Sequence, residues 1–200
     1  MEEYRYPLIL PQKRTGEEKI DGIQDTTLLD FWQWAYSNVV DNAERGIFAE
    51  WIVTKALNGV GEVRNEWDKY DILTPEGIKV EVKSSGYLQS WGQKDLSKIV
   101  FGIRQTKGWN NDTATYDIEF KRQSDIYVFC VHKHTDQATI NPLDISQWDF
   151  YVLDTKTINE KTEKQKCISL SKLKKIGATL TEYTELRSAV IKLAKEGKDE

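Results

Sequence analysis

The sequence predicts one α/β domain across residues 1–200, and three observations carry that expectation. Apolar residues recur at helical spacing near both ends of the chain. Several short runs with strand alternation fill the middle. No repeat, low-complexity block or linker divides them, and 200 residues suffice to bury one sizeable core.

Residues 1–25 have weak periodicity and a charged middle, which reads as an extended arm or loop. Between residues 27 and 40, Leu28, Phe31, Trp32, Ala35 and Val39 fall at helical spacing. Asp41-Asn42 supplies an N-cap for a second helix running to about Leu57, and Asn58-Gly59 supplies its stop. Residues 60–64 read as a strand. Thr74-Pro75-Glu76-Gly77 is turn chemistry, and the run after it alternates: Ile78, Val80 and Val82 point one way, Lys79, Glu81 and Lys83 the other. Further strands are expected at 99–104, 118–120, 126–132 and 150–153. A closing helix is expected at 181–195, with Leu186, Val190 and Leu193 on one face.

The composition narrows the function. A hydrophobic fraction of 39% and a charged fraction of 30% suit a soluble globular protein. Seven tryptophans and nine tyrosines can fill a core or stack on bases. A net charge of -4 and a pI near 5.4 argue against coating nucleic acid through bulk positive charge, though not against a local basic groove. Residues 156–175 hold seven lysines against Glu160 and Glu163, which reads as a solvated face or, alternatively, a phosphate-contacting one. Two distant cysteines without C-x-x-C spacing exclude a disulfide framework or thiolate zinc site and point to a reducing cytoplasm. The polar start is unlike a signal peptide, and no apolar run reaches membrane-span length, so no membrane partner is expected.

The decisive segment runs from Asp71 to Lys83. A three-residue hairpin loop commonly joins a type I turn to a left-handed residue, and Pro75-Glu76-Gly77 suits that need. In that register Thr74 faces Ile78 and Asp71 faces Glu81, with facing Cβ atoms about 4.5–5.5 Å apart. Lys83 lies two residues on, on the same side. Like charges held opposite one another destabilise unless something compensates them, and a divalent cation does so. The lysine can orient water and steady charge on phosphorus, so the parts suit metal-assisted phosphodiester hydrolysis. From the hairpin alone, a solvated lattice of Lys79, Glu81, Lys83 and Asp71 reads equally well.

Glu50 is a third witness. On a helical wheel it shares a face with Ala43, Gly46, Val53 and Leu57, where a carboxylate is costly unless paired or on a metal. A cap, or an ion pair with Arg45 or Arg64, is the competing account.

The ordered set Gly46-x-x-x-Glu50, Asp71 and Glu81-Val82-Lys83 resembles the PD-(D/E)xK nuclease superfamily, which includes restriction endonucleases. The matched region spans residues 42–91, about a quarter of the chain. Nine residues separate Asp71 from Glu81, within the range the superfamily uses. Tyr70 stands where the eponymous proline would be. The stretches Glu66-Trp67-Asp68-Lys69-Tyr70-Asp71 and Glu81-Val82-Lys83-Ser84-Ser85 also resemble uncharacterised bacterial members. The resemblance implies a restriction-endonuclease-like fold, a central mixed β-sheet flanked by helices. It implies Asp71 and Glu81 as metal ligands, Lys83 as the catalytic lysine and Glu50 as an extra or water-bridged ligand. The implied cofactor is Mg²⁺, with Mn²⁺ able to substitute. The implied activity is DNA cleavage in restriction, defence or repair, with a homodimer as a candidate assembly.

Ser84, Tyr87, Gln89 and Trp91 follow the E-x-K strand and are candidates for lining the substrate groove, Gln89 foremost. His132 and His134 have a spacing that can bind zinc, but no third ligand accompanies them, and a partly buried role is the better reading. No G-x-S-x-G, Walker or G-x-G-x-x-G pattern is present. The rival functional reading is a non-catalytic nucleic-acid-binding module on the same fold, disfavoured because binding alone has no need of mutually repelling carboxylates. A purely structural α/β protein with solvated hairpin charges is the third.

Overall fold

The computed structural model describes residues 9–66, 68–110 and 115–197. Two helices open it: α1, Leu28–Tyr36, and α2, Asn42–Leu57. Asp30 accepts from the Thr27 backbone and hydroxyl at 2.7 and 2.6 Å, which starts α1. α1 buries none of its residues, and Trp34 is 84% exposed, so its apolar periodicity reaches no core. In α2 the Asp41 carboxylate accepts from the Ala43 N–H, and Asn58 ends the helix in the left-handed region at φ 52°. Both boundaries agree with the cap and stop in the sequence.

The strands are β1 (Ile72–Leu73), β2 (Lys79–Gly86), β3 (Val100–Gly102), β4 (Trp109–Asn110), β5 (Thr115–Tyr116), β6 (Ile126–His132), β7 (Trp148–Asp154), β8 (Cys167–Ser169) and β9 (Thr179–Thr181). Helices α3 (Thr155–Thr162), α4 (Leu170–Lys175) and α5 (Leu186–Glu196) complete the fold. The main sheet has the order β1-β2-β6-β7-β9, with β2 parallel to β6 and every other neighbour antiparallel. This is the mixed sheet flanked by helices that the sequence led us to expect. Pairs β3–β8 and β4–β5 form separate two-stranded ladders.

Each face of the sheet has its own core. On one face Val80, Val82, Val128, Cys130 and Phe150 pack under Ile52, Val53 and Leu57 of α2 and Leu186 and Val190 of α5. On the other, Tyr127, Phe129, Tyr151 and Leu153 meet Phe101, Ile158, Ile168 and Leu173. The one-residue alternation of β2 divides these faces: valines go under α2, while Glu81 and Lys83 share the side of Tyr127 and Phe129.

Several expectations are corrected. Residues 60–64 are not a strand; Gly61 bends the chain at φ 106° and Val60 is 61% exposed, so the run finds no sheet partner beyond Val60 N–H to Leu73 O. Residues 118–120 form a bend, with Ile118 91% exposed. The expected helix at 181–195 begins later, at Leu186, after the Thr179–Thr181 strand and a 3₁₀ turn. The lysine-rich stretch 156–175 is the solvated face expected, with every lysine but the half-buried Lys172 exposed, and it contains α3, β8 and α4, which bury Ile158, Ile168 and Leu173. Residues 1–8 of the expected arm and Trp67 lie outside the described residues.

Candidate active site

The β1–β2 hairpin has the register read from its turn. Thr74 N–H donates to Ile78 O at 3.0 Å, Gly77 stands at φ 78°, and Ile72 pairs with Val80. Just before β1, Asp71 N–H donates to Val80 O at 3.1 Å, which brings Asp71 beside the stretch of β2 that carries Glu81.

Both carboxylates are held by neighbours. Asp71 Oδ2 accepts from Val82 N–H at 2.7 Å. Glu81 Oε1 lies 2.6 Å from Lys83 Nζ, and its Oε2 accepts from Ser124 Oγ at 3.1 Å. Asp71 keeps an open edge to solvent, yet crowding by protein atoms and the Glu81 charge push its pKa up to about 7. Lys83 and the Val82 N–H act in the opposite direction without prevailing. Burial alone would lower Lys83, but Glu81 and Asp71 outweigh it and hold its ammonium above the ordinary lysine range. Lys83 is therefore a fixed cation and hydrogen-bond donor at neutral pH.

Glu50 reaches this cluster from α2. Its charge acts on both Asp71 and Lys83, while Arg64 grips its two oxygens, Nη2 to Oε1 at 3.0 Å and Nε to Oε2. Of the two arginines considered for Glu50, Arg64 is thus the partner. Arg45 is buried and donates instead to Val40 O at 2.9 Å and towards Gln89 Oε1 at 3.4 Å.

The candidate groove residues lie elsewhere. Ser84 stands on the valine face of β2, opposite to Glu81 and Lys83, and its buried hydroxyl has no hydrogen-bond partner among the described residues. Tyr87 lines a shallow cleft with Lys98 and Lys174. Gln89 is tied to Gly86 O at 2.9 Å and to Arg45, and Trp91 is 52% exposed. None of the four lines the two clefts that meet at Asp71. Those clefts are walled by Arg104, Lys107, Trp109 and Tyr127 on the Glu81 side and by Trp51 and Arg64 on the Glu50 side; of these the sequence had singled out Arg64 alone. No local motif announces Arg104 or Ser124, since their roles depend on long-range placement.

His132 is buried against Trp148 with ring centroids 5.0 Å apart, and His134 Nε2 meets Thr139 Oγ1 at 2.7 Å. The pair serves packing and loop structure. Among the described residues, no group of three or more His, Cys, Asp or Glu side chains is placed to hold a metal ion.

A helix-flanked mixed sheet whose edge hairpin opposes two acids beside a lysine is consistent with a restriction-endonuclease-like fold, and so with the endonuclease class. Residues 7–172 match the family model of bacteriophage T4 endonuclease IV, and the chain belongs to that family. The match contains Glu50, Asp71, Glu81 and Lys83 and ends within α4. No curated protein matches the chain significantly. No helix among the described residues is long and apolar enough to cross a membrane.

Proposed function

We propose that this protein is a Mg²⁺-dependent DNA endonuclease of the PD-(D/E)xK type. The carrying observation is the Asp71 carboxylate held by Val82 N–H next to Glu81, with Lys83 bonded to Glu81. Membership of an endonuclease family and the resemblance of the Glu50, Asp71, Glu81-x-Lys83 order support the same reading.

The donor set fits a hard divalent cation. Magnesium takes one or two carboxylates and fills its remaining positions with water and substrate oxygens. Asp71 and Glu81 supply two such carboxylates, and the raised pKa of Asp71, from burial first and the Glu81 charge second, marks a cost that a cation would relieve. Glu50 would assist through a bridging water while Arg64 holds it. When bound, the ion would polarise the scissile phosphate and lower the pKa of a coordinated water. Lys83 orients the attacking water and stabilises negative charge growing on the phosphate oxygens; as a protonated ammonium it donates and does not act as base. Glu81 fixes the position of that ammonium.

The test is cleavage of single- and double-stranded DNA with Mg²⁺ or Mn²⁺, beside Lys83→Ala. Metal-dependent products that vanish in the variant establish the assignment. Products that persist in Lys83→Ala, or that form in EDTA, sink it.

A further inference from the structure

The cleft on the Glu81 side has a fixed second wall. Lys69 Nζ lies 3.1 Å from both Asp117 carboxylate oxygens, tying the approach to Asp71 to the segment after β5. Gly108 makes this closeness feasible: a Cβ there would stand 2.6 Å from Asp117 Oδ2 and 2.7 Å from Lys69 Cδ. Trp109 and Tyr116 meet edge to face across β4–β5 at 4.9 Å. Such a wall holds its side chains in place over the carboxylates.

The cations of this cleft differ in what they have left to give. Lys69 is spent on Asp117. Arg122 is buried and donates to Ile103 O, Asn159 Oδ1 and Thr162 Oγ1. Arg104 and Lys107 are exposed, and among the described residues neither has a carboxylate at ion-pair distance. Lys107 rests its ammonium 5.2 Å above the Phe120 ring. In a chain of net charge -4, these two cations without a carboxylate partner offset the acids of the cleft and leave donors for an anion.

We propose that Arg104 and Lys107 bind backbone phosphates of a nucleic-acid strand flanking the phosphodiester at Asp71 and Glu81. The proposal rests on the nuclease reading for its register and deepens it by naming where the strand lies. The guanidinium offers two parallel N–H donors to phosphate oxygens, and the ammonium a compact charge. Glu66, Asp68, Asp71 and Glu81 also line this cleft, so the divalent cation is needed to admit the strand and binding is stronger in Mg²⁺ than in EDTA.

The experiment is anisotropy of labelled DNA and RNA oligonucleotides with Lys83→Ala in Mg²⁺, alone or combined with Arg104→Ala or Lys107→Ala, between about 50 and 200 mM salt. Each added substitution should weaken binding about five- to tenfold and flatten the salt slope by about one. Lys192→Ala, on α5 and 78% exposed, is the control and should change neither. Unchanged affinity and slope in both variants, or no salt-dependent binding by the parent, overturns the proposal. Wild-type cleavage is scored separately. An inactive wild type whose binding still falls with Arg104→Ala refutes the catalytic reading and keeps the groove. An active one with unchanged binding does the reverse.

Discussion

Strands β2 and β6 run side by side in parallel, Val80 beside Ile126 and Gly86 beside His132. All seven residues of β6 are buried, on both faces of the sheet, and even its Cys130 and His132 are enclosed. β2 buries its valines on one face only and presents Glu81 and Lys83 on the other, near Asp71, the residue before β1. The central strand is given to packing on both sides. Its neighbour trades half of that packing for like charges held together, an arrangement that by itself destabilises the fold.

Lys83 and Phe129 are register partners across this boundary, so they give the sharpest contrast. Phe129 is fully buried, edge to face with Phe101 at 5.0 Å and stacked with Tyr127 at 5.7 Å. Phe129→Ala should cost about 3–5 kcal/mol of stability, read by denaturant unfolding. Lys83→Ala should cost only about 1 kcal/mol, because its side chain is one-third exposed, while cleavage falls by about 10²–10³ or more. Equal destabilisation by the two substitutions would erase the distinction between the strands.

At the far end of β6, His132 tests the packing strand by pH. Burial first, then the Arg45 charge, lowers its pKa to about 4. A histidine that is neutral when folded but protonates near 6.5 when unfolded contributes its full stability above pH 6.5 and loses it as pH falls towards 4. The loss is about 3 kcal/mol. His132→Leu should remove that part of the acid sensitivity. An unchanged pH profile between 6.5 and 4 would mean that the ring is hydrated or paired in solution.

Legibility from sequence follows the same divide. The caps of α2 and the turn before β2 are local signals, so Asn42–Leu57 and the Thr74–Ile78 register of the hairpin were recoverable. The apolar run of β6 was equally plain. Residues 60–64 and 118–120 carry β-branched and aromatic residues, but strandhood needs a partner edge, which local sequence does not report. The site divides likewise. The acids and the lysine follow from alternation and Arg64 was one of two partners offered for Glu50, whereas the Ser124 hydroxyl and the Arg104–Lys107 wall depend on loops meeting across the fold. Gln89 shows the converse: a suggestive position after the motif that Arg45 claims.

On the charged strand the expected stability change has the opposite sign. Without metal, Asp71→Asn should raise stability by about 1–2 kcal/mol above pH 7, the figure reduced for screening at the exposed edge. A carboxyl raised to about 7 from an unfolded value near 3.8 penalises the folded state fully above pH 7 and not at all below 3.8. The gain should therefore fade on acidification across that window. Mg²⁺ should reverse the order, raising the melting temperature of the wild type and leaving Asp71→Asn unmoved. A variant that melts lower without metal would show that the two acids do not repel in the native protein.

The smallest effect belongs to Ser124, which links the two strands through the Glu81 side chain. Its hydroxyl donates to Glu81 Oε2 at 3.1 Å, the residue is 4% exposed, and its carbonyl is held by Thr155 Oγ1 at 2.6 Å. Lys83 takes the other oxygen of Glu81, so Ser124 sets the rotation of the carboxylate and with it the direction of its free lone pairs. Ser124→Ala removes one hydrogen bond to a charged acceptor, worth about 1–2 kcal/mol, and should slow cleavage about three- to tenfold. A positioning role predicts that the loss appears mainly as a higher Mg²⁺ requirement, with the melting temperature little changed and Ser124→Thr restoring the wild-type requirement. If Ser124→Ala lowers the melting temperature and leaves the Mg²⁺ dependence untouched, the hydroxyl belongs to the packing strand's account and Glu81 is held by Lys83 alone.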